Sequence, residues 1–190
     1  MYRAFFAMAT GTAARVSELV GLRCSDVDLE QGVANFRQGI VNGVEGTSKS
    51  DTGDKDRSRT CPIDSSIVQE LRKHLNGRTT GLVFQTRNRT PLLLSNLYED
   101  ELRPVLDELG IWKEGMGMYS FRSGRISQWV YAGVTRQVIR DWAGHSVDRL
   151  IDLYTRRMKQ YHAAEMAKVR PLLDSKLDSN RSEEVGAHPA

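Results

Sequence analysis

Apolar residues recur every three to four positions along most of the chain, which is the spacing of amphipathic helices. Asp64 and Ser95 precede two of these runs as candidate N-caps, Gly77 follows one of them, and Pro104 interrupts the other. The pattern predicts helices over Tyr2–Ala9, Val16–Leu22, Ser65–Asn76, Asn96–Leu109 and Tyr161–Leu173, and two short helices, around Ile126–Val130 and Val138–Trp142, joined by a turn at Gly133.

Strand signals are concentrated in the first half of the chain. Residues Gly32–Ile40 and Arg57–Ile63 alternate between apolar and polar positions, and the polar segment between them predicts a hairpin with a long tip. Leu82–Phe84 is a candidate third strand. We therefore predict an α+β fold that is mostly helical, with a small three-stranded antiparallel sheet.

Composition limits the number of domains. With 190 residues, of which 39% are hydrophobic, the chain can bury one core. Residues 175–190 are polar and lack periodicity, which predicts a disordered tail after a single domain over residues 1–174. The formal charge of +3 and the pI of about 8.9 are compatible with a polyanionic partner but do not identify one.

The two cysteines, Cys24 and Cys61, lack the spacing of a zinc site and have no neighbouring pair of histidines. We interpret them as reduced core residues of an intracellular protein. The chain has no run of about 18 apolar residues, and its N-terminus lacks a basic segment followed by an apolar one. We expect a cytoplasmic protein that does not enter a membrane.

The residues that suggest chemistry lie between Tyr119 and Tyr154. Arg122 and His145 flank the predicted helix pair, so both side chains could face one cleft. A phosphodiester under attack gains negative charge on its non-bridging oxygens, and cationic donors stabilise that charge. A tyrosine such as Tyr154 suits the nucleophile, because a phenolate with an unperturbed pKa of about 10 leaves readily when a hydroxyl attacks back.

This ordered set resembles the second box of the tyrosine recombinases, also called phage-type integrases. That box runs His-x-x-Arg, a helix pair, Gly-His, and a tyrosine nine residues after the histidine. Arg122 matches, His145 follows it by 23 residues, and Tyr154 follows His145 by nine. Tyr119 stands where the family usually has histidine, and its hydroxyl could also donate a hydrogen bond.

The segment from Thr10 to Leu22 is similar to the family's first box, Thr-Gly-x-Arg-x-x-Glu-Leu-x-x-Leu. Arg15 and Glu18 occupy the charged positions, and two extra residues separate Gly11 from Arg15 in a turn. An arginine and a glutamate three residues apart on a helix can touch, and in isolation they would be a surface ion pair. The resemblance implies that Arg15 holds the scissile phosphate and that the acidic residue orients it.

The hairpin also resembles the family's pattern. Thr60–Ile63 is similar to the Val-Pro-Leu ending of the returning strand, and in the family a lysine on this hairpin protonates the leaving 5′-oxygen. Lys49 matches that lysine best, and Lys55 competes with it because the loop is longer than usual.

The resemblance implies an enzyme that cleaves and rejoins double-stranded DNA through a 3′-phosphotyrosine, without a metal, a nucleotide or another cofactor. In this assignment Tyr154 attacks, Arg15 and Arg122 hold the phosphate, His145 assists proton transfer, and Lys49 protonates the leaving oxygen. The site residues so assigned are Arg15, Lys49, Tyr119, Arg122, His145 and Tyr154.

Members of the family usually carry an N-terminal helical domain that closes around DNA, and they commonly pack a C-terminal helix onto a neighbouring protomer. No such domain precedes Met1, so we expect the catalytic domain of a mobile element's integrase, assembling as a homo-oligomer on DNA through its C-terminal helix. Two other classes remain open. One is a type IB topoisomerase, which shares the phosphotyrosine chemistry, and the other is a non-catalytic DNA-binding remnant, suggested by the missing domain and by Tyr119.

Overall fold

The computed structural model describes residues 1–47, 58–144 and 147–184 of the chain. The chain forms two compact units, Met1–Ile151 and a second that begins at Asp152. The first unit contains the sheets and most of the helices. The predicted domain boundary at residue 174 stays a prediction.

Helices form wherever the apolar periodicity predicts them, although their ends differ. The two helices on either side of Gly133 are confirmed. This glycine has a φ of 76°, a value that residues with a side chain rarely adopt. The helices are α1 (Tyr2–Thr12), α2 (Val16–Val20), α3 (Ser65–Leu75), α4 (Leu94–Asn96), α5 (Arg103–Glu108), α6 (Tyr119–Tyr131), α7 (Arg136–Ala143) and α8 (Asp148–Glu184).

The strands form two small antiparallel sheets. The larger sheet has the order β1 (Val27–Asp28), β2 (Val33–Phe36) and β5 (Arg59–Pro62), and β3 (Gln38–Val41) pairs with β4 (Val44–Thr47) in the other. The α+β class and the small three-stranded antiparallel sheet are therefore confirmed. The pairing of β2 with β5 is the predicted hairpin, with a second hairpin inserted in its tip.

The strand predicted over Gly32–Ile40 is wrong as a single element. The chain leaves the three-stranded sheet after Phe36, which pairs with Arg59, and enters the second sheet at Gln38, which pairs with Thr47. Side chains continue to alternate between the two faces where the chain passes from one sheet to the other, so the sequence pattern does not reveal this change of sheet.

The third strand of the larger sheet is also not the predicted one. Leu82 makes only an isolated bridge with Arg23, and residues 82–84 are buried in the core without forming a strand. The third strand is β1, whose two residues are too short a run to show alternation.

The end of α2 packs closely against the backbone of β3. A Cβ atom added at Gly21 would lie 3.1 Å from the Cα atom of Gly39, and one added at Gly39 would lie 3.2 Å from the Oγ atom of Ser17. Because backbone atoms cannot move aside as the end of a side chain can, the absence of a side chain at Gly21 allows this contact.

The predicted cap of α3 is confirmed. The Asp64 carboxylate accepts hydrogen bonds from the backbone amides of Ser66 and Ile67, at 3.0 and 3.1 Å. At the other end, Asn76 adopts the left-handed conformation and Gly77 follows with a φ of 82°. The helix therefore ends at Leu75, one residue before the predicted end.

The predicted helix over Asn96–Leu109 begins earlier and is not uniform. Ser95 lies inside α4 rather than capping it, and a π-helical segment, Leu97–Leu102, separates α4 from α5. Pro104 stands at the start of α5. Because proline has no N–H to donate, the change in helical pitch just before it accommodates the missing bond.

Helix α1 lies at the centre of the first unit and packs against α3 and α6. Phe5 and Met8 are completely buried, and the rings of Phe5 and Phe84 meet edge to face at 5.0 Å. Burial of these large side chains fixes α1, and with it the turn that leads into α2.

The second unit is the continuation of α8. Its backbone is helical as far as Glu184, and the disordered tail predicted over residues 175–190 stays a prediction. No glycine or proline, the residues that most oppose helix formation, occurs between Leu172 and Glu184. In the part of the chain that the structure describes, no helix is both long and apolar enough to cross a membrane.

Candidate active site

The turn between α1 and α2 precedes the first charged residue of the site. Ala13 has a φ of 51°, a left-handed conformation that glycine normally takes. Gly11, which the sequence analysis placed in this turn, lies instead within α1, where a Cβ atom would come 2.1 Å from Ile67 Cδ1. The assignment of an extended turn after Gly11 is corrected, because Gly11 serves helix packing and Ala13 makes the turn.

Arg15 and Glu18 touch, as their spacing predicts. The Arg15 amide donates to Glu18 Oε2 at 2.7 Å, and Arg15 Nη1 donates to Glu18 Oε1 at 2.9 Å. The pair is not the surface ion pair expected of the two residues in isolation, because the Glu18 side chain is 4% exposed while that of Arg15 is 37% exposed. Glu18 therefore anchors an arginine whose side chain is still reached by solvent.

A second arginine holds the same carboxylate. Arg59 Nη2 lies 2.5 Å from Glu18 Oε2, and Arg59 Nη1 donates to the carbonyl oxygen of Trp142. The Arg59 guanidinium also lies over the Phe36 ring, 4.4 Å from its centroid. Burial alone would raise the pKa of Glu18, but the Arg59 charge, the Arg15 amide and the Arg15 charge lower it below the usual range.

Arg122, on α6, is the most buried arginine of the predicted set at 3% exposure. It donates from Nη1 to the carbonyl oxygen of Ala13 and from Nη2 to that of Ala143, the latter at 2.8 Å. Burial, and next the positive charge of Arg15, lower the pKa of Arg122 to about 10, while Glu18 opposes that shift. Arg122 therefore remains a cation at neutral pH.

Two guanidinium groups thus bond the Glu18 carboxylate, and the charge of a third, that of Arg122, acts on it without a direct bond. Arg59, Arg15 and Arg122 all act on the pKa of Glu18, and Arg15 and Arg59 act on that of Arg122, which places the four charges in one electrostatic cluster. With three cations and one anion, the cluster carries net positive charge. Such a group of fixed donors can stabilise a phosphate oxygen that gains negative charge.

Tyr119 is the first residue of α6, one turn before Arg122. It is 60% exposed. The side chain is therefore open to solvent, one helical turn from Arg122.

The structure does not test the remaining predicted residues. Lys49, Lys55 and His145 lie outside the described residues. Tyr154 lies on α8, in the unit that begins at Asp152. Their assignment to the site stays a prediction.

The sequence analysis missed Arg59. The signal for it was present, because Arg59 and Cys61 are two residues apart on β5, and Cys61 is fully buried. Alternation along a strand places both side chains on the same face, so a buried Cys61 indicates an inward-facing Arg59. A buried arginine requires a partner, and Glu18 is that partner.

Comparison with known proteins identifies the same family as the sequence motifs. The model of the phage integrase family matches residues 1–161. A putative prophage phiRv2 integrase of Mycobacterium tuberculosis is 38% identical over 91 residues, which cover 46% of this chain and 24% of the relative. The tyrosine recombinase XerA of Pyrococcus furiosus is 26% identical over 170 residues, which cover 87% of this chain and 53% of the relative. The chain thus spans about a quarter to a half of the length of the curated relatives it matches.

Solved structures share the fold. The Tn1549 transposon integrase in complex with transposon right end DNA superimposes with a TM-score of 0.67 at 18% identity, over 85% of this chain and 58% of that one. The XerH site-specific recombinase in a post-cleavage complex with palindromic difH substrate gives a TM-score of 0.65 at 18% identity, over 88% and 45% of the two chains. At these identities the likeness concerns the arrangement of the backbone.

Proposed function

Because the chain belongs to the phage integrase family, we propose that it cleaves and rejoins double-stranded DNA in site-specific recombination through a 3′-phosphotyrosine intermediate. The observation that carries this proposal is the cluster of Arg15, Arg59 and Arg122 around Glu18. Transfer of a phosphoryl group depends mainly on positioning and on stabilising negative charge, and fixed guanidinium groups supply both.

Within this cluster we assign the direct phosphate contacts to Arg15 and Arg122. Arg15 is the more accessible of the two, and its guanidinium is already oriented by Glu18. Arg122 has five N–H donors, of which its two bonds to backbone carbonyls use two. Tyr119 would add a neutral hydrogen bond from its exposed hydroxyl.

The remaining roles rest on spacing in the sequence. Tyr154 would be the nucleophile, His145 would assist proton transfer and hydrogen-bond the phosphate, and Lys49, with Lys55 as its competitor, would protonate the leaving 5′-oxygen. Cleavage by this set would need no metal or other cofactor, because the protein itself would supply the cations.

We propose double-stranded DNA as the substrate and a homo-oligomer, assembled through the C-terminal helix, as the working form. The DNA present in the Tn1549 integrase and XerH complexes supports the first part. Exposed cationic side chains on α8, Arg156, Arg157 and Lys159, are also suited to a polyanion. The oligomer is testable by the change in molecular mass that DNA addition produces.

Capture of a covalent adduct tests the reaction. The protein is incubated with a labelled duplex whose nick beside the cleavage position releases a short fragment, so that rejoining cannot follow. We expect a slowly migrating band under denaturing conditions, and its loss in Tyr154→Phe. Tyr161→Phe is the matched control, because Tyr161 is exposed on the same helix, seven residues further on. An adduct that persists in Tyr154→Phe, or that maps to Tyr161, would remove the nucleophile assignment.

A plasmid relaxation assay and the adduct assay together separate the alternatives. Relaxation of supercoiled plasmid by a monomer, without exchange between two duplexes, would indicate an activity of the type IB topoisomerase kind. DNA binding without any adduct would indicate a non-catalytic module. This alternative is suggested by Tyr119, which stands where the family usually has histidine.

A further inference from the structure

We propose that Arg59 is a positioning residue of the reaction, which fixes Glu18, and through it Arg15, against the C-terminal end of α7. This inference rests on the proposed function, since it concerns the same site. Its basis is that the buried Arg59 side chain bonds both Glu18, the partner of Arg15, and the backbone carbonyl of Trp142 in the last turn of α7.

The Arg59 guanidinium is restrained from three directions. Nη2 bonds Glu18 Oε2, Nη1 donates to the Trp142 carbonyl oxygen, and one face of the group lies on the Phe36 ring. The side chain is 8% exposed. A planar group held at two edges and one face has little freedom to turn, so it can transmit position between its partners.

Glu18 connects Arg59 to Arg15. Its Oε2 atom accepts from both Arg59 Nη2 and the Arg15 amide, while Oε1 accepts from Arg15 Nη1. The position of Arg59 therefore determines where the carboxylate lies, and the carboxylate determines where the Arg15 guanidinium points. After loss of Arg59, the bonds from Arg15 would still hold Glu18, but the Arg15 side chain is partly exposed and better able to move with it.

Arg59 also contacts the last turn of α7. The final carbonyl groups of a helix have no partner within it, and they form the negative end of the helix dipole. Arg59 satisfies the Trp142 carbonyl and Arg122 satisfies that of Ala143, so two cations hold this end. The helix stops at Gly144, whose φ of 90° excludes most side chains and which lies against the Arg59 side chain.

The variant Arg59→Lys separates the positioning role of Arg59 from its positive charge. A lysine keeps the cation, but its single ammonium lacks the planar fork that spans Glu18 and the Trp142 carbonyl. Arg103→Lys is the matched control, because Arg103 also pairs with a carboxylate, Asp107, and also lies over an aromatic ring, that of Trp112, away from the cluster.

The experiment measures single-turnover cleavage of the nicked duplex, DNA affinity over a range of salt concentrations, and the fraction of protein folded. We expect Arg59→Lys to lower the cleavage rate at least tenfold while affinity and the slope of affinity against salt stay unchanged. We expect Arg103→Lys to cleave at the parent rate. In a double-mutant cycle with Glu18→Gln, the two changes should be far from additive, because Arg59 acts through Glu18.

The outcomes are distinct. If the parent cleaves and Arg59→Lys cleaves as fast, the inference is overturned while the proposed function stands. A salt slope reduced by about one in Arg59→Gln, which removes the charge that lysine keeps, would make Arg59 a direct phosphate contact instead. Additive losses in the cycle would show that Arg59 does not act through Glu18. If the parent itself forms no adduct, the proposed function fails, and this inference fails with it.

Discussion

Arg122 and Ala143 are joined by a hydrogen bond of 2.8 Å from the guanidinium Nη2 to the carbonyl oxygen, across 21 positions of sequence. The same guanidinium bonds the Ala13 carbonyl, so it ties the turn after α1 to the end of α7. Arg122 therefore serves the fold as well as the proposed chemistry, unlike the more exposed Arg15.

This difference predicts two distinct alanine phenotypes. Arg122→Ala removes the donor from two buried carbonyl groups, at about 1–3 kcal/mol each, and should lower the free energy of unfolding by about 2–6 kcal/mol. Arg15→Ala should cost on the order of 1 kcal/mol, because Arg59 still holds Glu18. Both should suppress cleavage and leave DNA binding largely intact. Urea unfolding checks the stabilities, and equal losses for the two variants would contradict the structure.

The Glu18 carboxyl predicts a dependence of stability on pH. Its pKa is lower in the folded protein than in the unfolded chain, so its contribution is fully present above the ordinary value of about 4.3 and is lost as pH falls through the folded value. Glu18→Gln should cost on the order of 3 kcal/mol at pH 7, because it removes the partner of a buried cation.

Unfolding by urea at several pH values between 7 and 3 tests this. The free energies of the parent and Glu18→Gln should converge as the pH falls, because glutamine does not titrate. Glu108→Gln, at an exposed position, is the control and should follow the parent throughout. Parallel curves for the parent and Glu18→Gln would show that Glu18 is not the group responsible.

Tyr119 predicts a modest and specific effect on cleavage. Its exposed hydroxyl can donate one neutral hydrogen bond, about half as strong as a charge-assisted one. Tyr119→Phe should therefore slow single-turnover cleavage roughly tenfold, near 1.4 kcal/mol, while Tyr119→His should preserve or raise the rate. Thermal unfolding should hardly change in either variant. Cleavage by Tyr119→Phe at the parent rate would leave the hydroxyl without a catalytic role.

The two cysteines predict a protein that resists thiol reagents while folded. Burial raises the pKa of Cys61 to about 11 and also raises that of Cys24. At pH 8 only about one Cys61 in a thousand would be the reactive thiolate. Ellman's reagent should label neither residue in native buffer and both in urea, whereas an exposed Ser95→Cys should react at once. Rapid native labelling of Cys61 would contradict its burial.

The elements that follow from local signals were predictable. Apolar periodicity located α3, α6 and α7, because each helix buries one face, and the capping residues Asp64 and Gly77 located the ends of α3. The contact of Arg15 with Glu18 followed from a spacing of three residues.

Features set by distant partners were not predictable in this way. The crossing between sheets after Phe36 depends on which strands it and Gln38 meet, and the alternation is the same on both sides. The left-handed turn falls on Ala13 rather than on a glycine, because the packing of α1 fixes where the helix must end. Arg59 pairs with a carboxylate 41 positions away, so no local pattern reveals its partner.

Because Gly21 and Gly39 are in backbone contact, mutation of a residue that takes no part in the reaction can also abolish activity. Glu18 lies on α2 and Arg15 precedes it, so a side chain at Gly21 would push that helix from β3 and displace both charges. A screen for loss of activity would therefore return this glycine, which moves no proton, together with the arginines. Sorting the hits by melting temperature would separate them, because Gly21 variants should melt early while Arg15 variants stay close to the parent.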